Sequence, residues 1–263
     1  MKNYLFLGMM SAVVFFNSCS SNDDNEPAEK KLLLSKVTTT YYDDPTNPKT
    51  SVETSEYNSQ GQLIKNVFKN GISVIEYNND KPIKIYNYNN KQELIYYSQF
   101  FYTGNQLNKV ESIYPDSTSN RTLTYSYNPN GQLISSSLCQ STDCSSPGIT
   151  TYTYSGDNVS VESTTYGKTI VINLKDEYVY DNKLSPYTNT NKYLRLFMGR
   201  TVTLSKNNYT ANRSSFKNND NWEPGETTTY TYEYNNSGLP VKAIGKGSDG
   251  NLSVQYDYEY ISQ

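Results

Sequence analysis

Apolar and polar residues alternate along most of this chain with the period of two expected of strands whose two faces meet different surroundings. Clusters of Asn, Gly, Asp and Pro interrupt the alternation at short intervals. The clearest unit is Leu123-Thr-Tyr-Ser-Tyr-Asn-Pro-Asn-Gly-Gln-Leu-Ile134. Leu123, Tyr125 and Tyr127 fall on one face of a strand, Thr124 and Ser126 on the other. Asn128-Pro129-Asn130-Gly131 accepts a tight bend, and Gln132 opens the returning strand. The unit recurs at Tyr232 to Leu239 and, eroded, at Tyr57 to Leu63. Further strands are expected at Leu32 to Tyr42, Ser51 to Tyr57, Leu63 to Phe68, Ile72 to Tyr77, Pro82 to Tyr88, Glu93 to Tyr102, Gln106 to Tyr114, Thr150 to Tyr154, Val159 to Tyr166, Thr169 to Leu174, Thr228 to Tyr234 and Leu252 to Tyr260. In the last two, Tyr230, Tyr232 and Tyr234 share a face, as do Tyr256, Tyr258 and Tyr260, while Thr229, Thr231, Glu233, Asp257 and Glu259 lie opposite. A slip of one residue would exchange the faces, so register is strongly specified. The count predicts an all-β chain, a large antiparallel meander of roughly 14–16 strands.

Asp181 to Arg200 breaks the pattern. Thr190 or Asn191 can cap a helix, Tyr193, Leu196 and Phe197 share a helical face, and Gly199 can end it, so one short helix is expected near 190–199. Its expected work is to cover an end or open face of the sheet.

Composition changes this picture mainly through tyrosine. Only 35% of the 263 residues are hydrophobic, yet 27 are Tyr, whose ring packs while its hydroxyl stays hydrogen-bonded. A net charge of -3, with Lys and Arg scattered singly, gives no basic patch and argues against a nucleic-acid partner. The absence of histidine removes Ser-His-Asp and Cys-His catalysis, and no glycine cluster leads into a helix to cradle a phosphate. Carboxylate chemistry survives, with Asp176, Glu177, Asp220, Glu223 and Glu226 as candidate acids. Acids at turns and sheet edges are ordinarily solvating charges, so no catalytic residue is assigned. Asn218 to Glu223 lacks the glycine and spaced acids of a calcium loop, and neither a metal nor a cofactor is expected.

At the amino terminus, Lys2, the apolar run Tyr4 to Phe16 and the small Ser18 read as a cleaved secretory signal rather than a spanning helix. Ser18-Cys19 resembles the lipobox of bacterial lipoproteins, which implies that Cys19 becomes the lipidated first residue. The polar, acidic stretch from Ser20 to Pro27 resembles the tether and surface-export signal of Bacteroidetes-type lipoproteins. The expected organisation is a signal peptide over 1–18, a tether over 19–31 and one tyrosine-rich β-repeat domain over 32–263. With Cys19 lipidated, Cys139 and Cys144 remain, and in an oxidising compartment they are expected to pair around Gln140 to Asp143.

The recurring Tyr-x-Tyr-Asn-x-x-Gly-x-Leu resembles the YD repeats of Rhs-type proteins. Over nearly all of Leu32 to Tyr260, the order of Tyr178 to Tyr187, the short helix, Leu204 to Asn208 and the Tyr-rich close resembles a Bacteroidetes lipoprotein family of unknown function with a porin-like fold. That resemblance implies a sheet curled into a half-barrel or barrel and carries no activity or ligand. The non-tyrosine faces bear Thr, Ser, Glu, Asp and Lys where a lipid-facing strand would be apolar, so the sheet is expected to be soluble. Asp116-Ser117-Thr118, in the loop Pro115 to Asn120, is similar to the motif on which such bacteria attach O-glycans, with Ser117 as acceptor.

The single Trp222, placed by this reading in a polar loop from Lys217 to Glu226, is the candidate ligand contact, since a ring exposed there could stack on a sugar or a partner protein. The tyrosine ladders could form a carbohydrate platform, but cross-strand packing also accounts for them. The expected function is that of an outer-membrane, surface-exposed binding module for a glycan or protein, monomeric and held to the membrane by its lipid alone. A Rhs-like structural shell is the alternative, and a carboxylate-dependent glycosidase is a third class.

Overall fold

In a computed structural model, residues 31–141, 143–167 and 171–263 are described. The signal peptide, Cys19 and the tether up to residue 30 lie outside the described residues.

Sixteen antiparallel strands close into a barrel in which every strand pairs with its neighbours in sequence and β1 pairs with β16. They are β1 (Leu32–Tyr41), β2 (Lys49–Tyr57), β3 (Leu63–Phe68), β4 (Gly71–Asn78), β5 (Lys81–Asn89), β6 (Leu94–Thr103), β7 (Gln106–Ile113), β8 (Arg121–Tyr127), β9 (Leu133–Cys139), β10 (Gly148–Ser155), β11 (Asn158–Tyr166), β12 (Ile172–Leu184), β13 (Asn207–Asn218), β14 (Asn221–Tyr234), β15 (Pro240–Lys246) and β16 (Leu252–Ser262). The strand count and meander follow the alternation. The sheet closes fully, however, with Val37 opposite Tyr258 and Thr39 opposite Tyr256, rather than stopping at a half-barrel.

The repeat unit explains one rim. Asn58, Asn128 and Asn235 each use Oδ1 to accept the backbone N–H groups two and four residues on. Gly61, Gly131 and Gly238 follow at φ 75°, 81° and 75°, a conformation that costs glycine little, and Leu63, Leu133 and Leu239 then turn into the interior. Ahead of the turn the register shifts by one residue at Tyr57, Tyr77, Tyr102, Tyr127, Tyr154, Tyr180 and Tyr234. Such bulges bend the strand and raise its twist, which helps curl the sheet. Tyr57, Tyr77, Tyr102 and Tyr127 donate their hydroxyls to the carbonyls of Leu34, Leu63, Pro82 and Leu107, near the start of the preceding strand, at 2.8, 2.8, 2.6 and 2.7 Å.

At the same rim the β12–β13 connection folds inward as a plug. It holds two helices where one was expected: α1 (Lys192–Met198) and the single turn α2 (Thr201–Leu204). Asn191 caps α1 through Oδ1, and Gly199 ends it in the left-handed region at φ 62°. Arg200 is then extended, and Thr-Val-Thr-Leu makes one more turn, which β-branched residues hide from a sequence reading. The plug is tied around the rim. Asn189 Nδ2 donates to the Leu32 carbonyl, Asn191 Nδ2 to that of Asp80 and the Tyr193 hydroxyl to that of Asn105, while Ser205 Oγ accepts the Val159 N–H. The helix therefore covers an end of the sheet, as expected. Tyr193 and Leu194 enter a core formed with Leu63, Ile75, Ile85, Phe100, Leu107, Val110, Tyr125, Leu133, Tyr152 and Val159.

Candidate functional site

The tyrosine faces of β14 and β16 point inward, and above the plug they help line an open lumen of two lobes, whereas Tyr86 and Tyr97 meet Lys84 on the outer face. One has a volume of about 470 Å³ and is lined by eight tyrosines, with Glu53, Glu162, Arg200 and Asn208. The other, of about 420 Å³, is walled by Leu63, Ile75, Ile85, Leu194, Phe197 and Met198, and reaches the opposite rim at Phe68, Asn70 and Ile95. Glu53, Tyr187 and Arg200 border both lobes.

In the tyrosine lobe, rings from neighbouring strands brace one another. Tyr209 meets Tyr178 at 5.3 Å and Tyr230 edge-on at 5.1 Å, and Tyr230 stacks with Tyr232 on its own strand at 6.4 Å. Burial pushes the Tyr209 and Tyr258 phenols well above their ordinary range, so they stay protonated donors. Burial also raises the carboxyls of Glu53, Glu162 and Asp176. Arg200 opposes this at Glu53, a hydrogen bond from Thr201 opposes it at Glu162, and one from Asn212 opposes it at Asp176. Thr201 Oγ1 donates to Glu162 at 2.6 Å and so ties α2 to β11. Asn208 is 1% exposed, and its Oδ1 has no hydrogen-bond partner among the described residues.

A carboxyl raised by burial is protonated more readily in the fold than in the unfolded chain. Its contribution to stability is complete below the unfolded value near 4.5 and is lost as pH rises through the folded value. Glu162→Gln keeps an acceptor for Thr201 and cannot ionise. Its melting temperature is expected to exceed that of the parent at pH 7–8, with the gap closing below about pH 4.5. A scan in which the gap widens on acidification would contradict this.

The sequence-level candidates fall mostly on the rim opposite the plug. Cys139 and Cys144 form a disulfide in the β9–β10 connection, Cα atoms 5.2 Å apart. Ser117 is exposed in the β7–β8 turn at φ 55°. Trp222 is corrected: it is not in a polar loop but in β14, opposite Lys217, two residues beyond a turn made by Asn219 and Asp220 alone. Pro224 stands opposite Ser215 in the ladder, beside a register shift between Arg213 and Ser215. The Trp222 ring is 43% exposed, with Lys175 Nζ 5.1 Å from its centroid. Trp222→Ala is therefore expected to lower stability by about 0.5–1 kcal/mol in denaturant unfolding, the scale of an exposed cation–π contact. Of the candidate acids only Asp176 joins the environment of Glu162, while Glu177 pairs with Lys175 at 3.2 Å, Asp220 with Lys217 at 3.0 Å, and Glu223 accepts from Asn218. Glu53 and Glu162 had no signal in the sequence beyond their alternation parity, and Arg200 and Asn208 lay outside the expected alternating strands.

The outer wall carries ion pairs between neighbouring strands and along them. Lys36 pairs with Glu259 at 2.8 Å, Lys65 with Glu56 at 2.7 Å and Lys109 with Glu111 at 2.8 Å, among rows of Thr and Ser. A lipid-facing barrel carries an apolar band there, and a charge near the bilayer midplane would cost about 2–4 kcal/mol.

The molecule is thus of the class of plugged antiparallel barrels with an aromatic lumen. Among solved structures it is similar to a porin-like protein from Bacteroides uniformis ATCC 8492, with 16% identity, a TM-score of 0.54 and coverage of 88% of this chain and 96% of that one. It is also similar to a porin-like protein from Bacteroides vulgatus ATCC 8482, with 12% identity, a TM-score of 0.55 and coverage of 88% and 99%. At such identities the likeness is one of fold, and it bears out the porin-like architecture. No family model matches the sequence, and no curated protein matches it either.

Proposed function

We propose that this chain is a cell-envelope lipoprotein, anchored through Cys19, that binds a glycan in the barrel lumen and presents its mouth away from the membrane. The observation that carries this is the polarity of the barrel. Lys31 exchanges backbone hydrogen bonds with Gln263, and Leu32 is held by Asn189 of the plug, so the chain enters at the closed rim. The open rim, with Ser117, the disulfide and Trp222, is opposite. The likeness to porin-like Bacteroides proteins supports an envelope address. The glycan reading is supported by the tyrosine lobe, where flat rings offer stacking faces and Glu53, Arg200 and Asn208 offer hydrogen bonds to hydroxyls.

The test has two parts in the native host. Cys19→Ala should lose fatty-acid labelling and release the protein from membranes. Ser117→Cys should react with a membrane-impermeant maleimide on intact cells. A Cys19→Ala protein that still takes up label would sink the anchor, and labelling only after permeabilisation would place the mouth inside the envelope.

A further inference from the structure

The two lobes differ in chemistry, and they adjoin. The tyrosine lobe is rich in hydroxyls and carboxylates, and Asn208 in its lining has an acceptor, Oδ1, with no partner among the described residues. The second lobe is walled mainly by aliphatic and aromatic side chains from β3, β4, β5 and α1; Ser73 Oγ donates to Asn87 Oδ1, and Asn87 Nδ2 has no hydrogen-bond partner among the described residues. Water against such a wall makes few hydrogen bonds, so an apolar group entering it gains what a sugar there would not. Glu53, Tyr187 and Arg200 border both spaces, so the two lobes meet at these three side chains. We propose that the ligand is an amphiphile, with a polyhydroxylated head in the tyrosine lobe and an alkyl or aryl tail along Ile75, Ile85, Phe197 and Met198. This rests on the lumen being the glycan site and adds the nature of the group attached to the sugar.

The test is calorimetric titration of a soluble form beginning at Ser20, which keeps the whole closed barrel, with maltose and with octyl, decyl and dodecyl maltoside below their micellar concentrations. Each added methylene should tighten binding by about fourfold until the lobe is full, the fold-change of one buried CH₂. Met198→Glu, a half-buried position on the lobe wall, should flatten that dependence. Equal affinity for maltose and dodecyl maltoside would overturn the amphiphile and leave the glycan site standing. Dodecyl phosphocholine binding as tightly as dodecyl maltoside would overturn the sugar head. No binding by any of the maltosides would overturn the lumen site itself.

Discussion

Replacing Tyr193 by alanine is expected to destabilise the barrel by about 3–5 kcal/mol, the range for removing a fully buried aromatic side chain. Tyr193 is 2% exposed and stands on α1 where the plug enters the core. Its ring meets Tyr102 edge-on at 5.0 Å, and its hydroxyl reaches the Asn105 carbonyl at 3.0 Å. The alanine variant loses the apolar contacts, the hydroxyl and the tie between plug and the β6–β7 turn together. Tyr193→Phe keeps the ring and should cost about 1–2 kcal/mol through the orphaned carbonyl alone. Denaturant midpoints for the two variants separate the terms. Near-equal values would mean that the plug is docked by its hydrogen bonds and that ring packing contributes little.

The plug also marks where sequence reading stops. Asn191 and Gly199 announce α1, because capping is a local interaction between residues a few positions apart. The destination of α1 is not local: Tyr193 finds Asn105 88 residues away, and no periodicity encodes that. The strands were legible for the same reason as the cap. Tyr-x-Tyr-Asn-x-x-Gly-x-Leu packs the bulge, the Asn-capped turn and the inward Leu into one short segment. Closure was not legible, since it depends on β1 meeting β16 across the length of the chain. The lumen hid in a similar way. Glu53 and Glu162 occupy parity positions that a solvated face would also give to an acid, and only closure turns them inward beside Arg200. Trp222 misled for the opposite reason: Asn, Asp, Pro and Gly nearby all favour turns, yet cross-strand pairing carried Pro224 into the ladder.

The tyrosine that ends each repeat supplies the second large effect. Tyr127 follows the register shift at Ser126, projects inward beside the core and donates to the Leu107 carbonyl at 2.7 Å. It therefore joins β8 to β7 at the rim where the turn Asn128 to Gly131 begins. Tyr127→Ala should cost about 2–4 kcal/mol, less than Tyr193 because the ring is only half-buried, and Tyr127→Phe about 1 kcal/mol through the lost hydroxyl bond. Because Tyr57, Tyr77 and Tyr102 make the equivalent bond, phenylalanine at each should cost a similar amount, and the double variant Tyr57→Phe, Tyr127→Phe should cost the sum, since sites this far apart with no shared partner add. Equilibrium unfolding of the single and double variants decides between independent latches and a coupled ring. A double variant that loses much more than the sum would show that the rim closes cooperatively, each latch holding the bulge that positions the next.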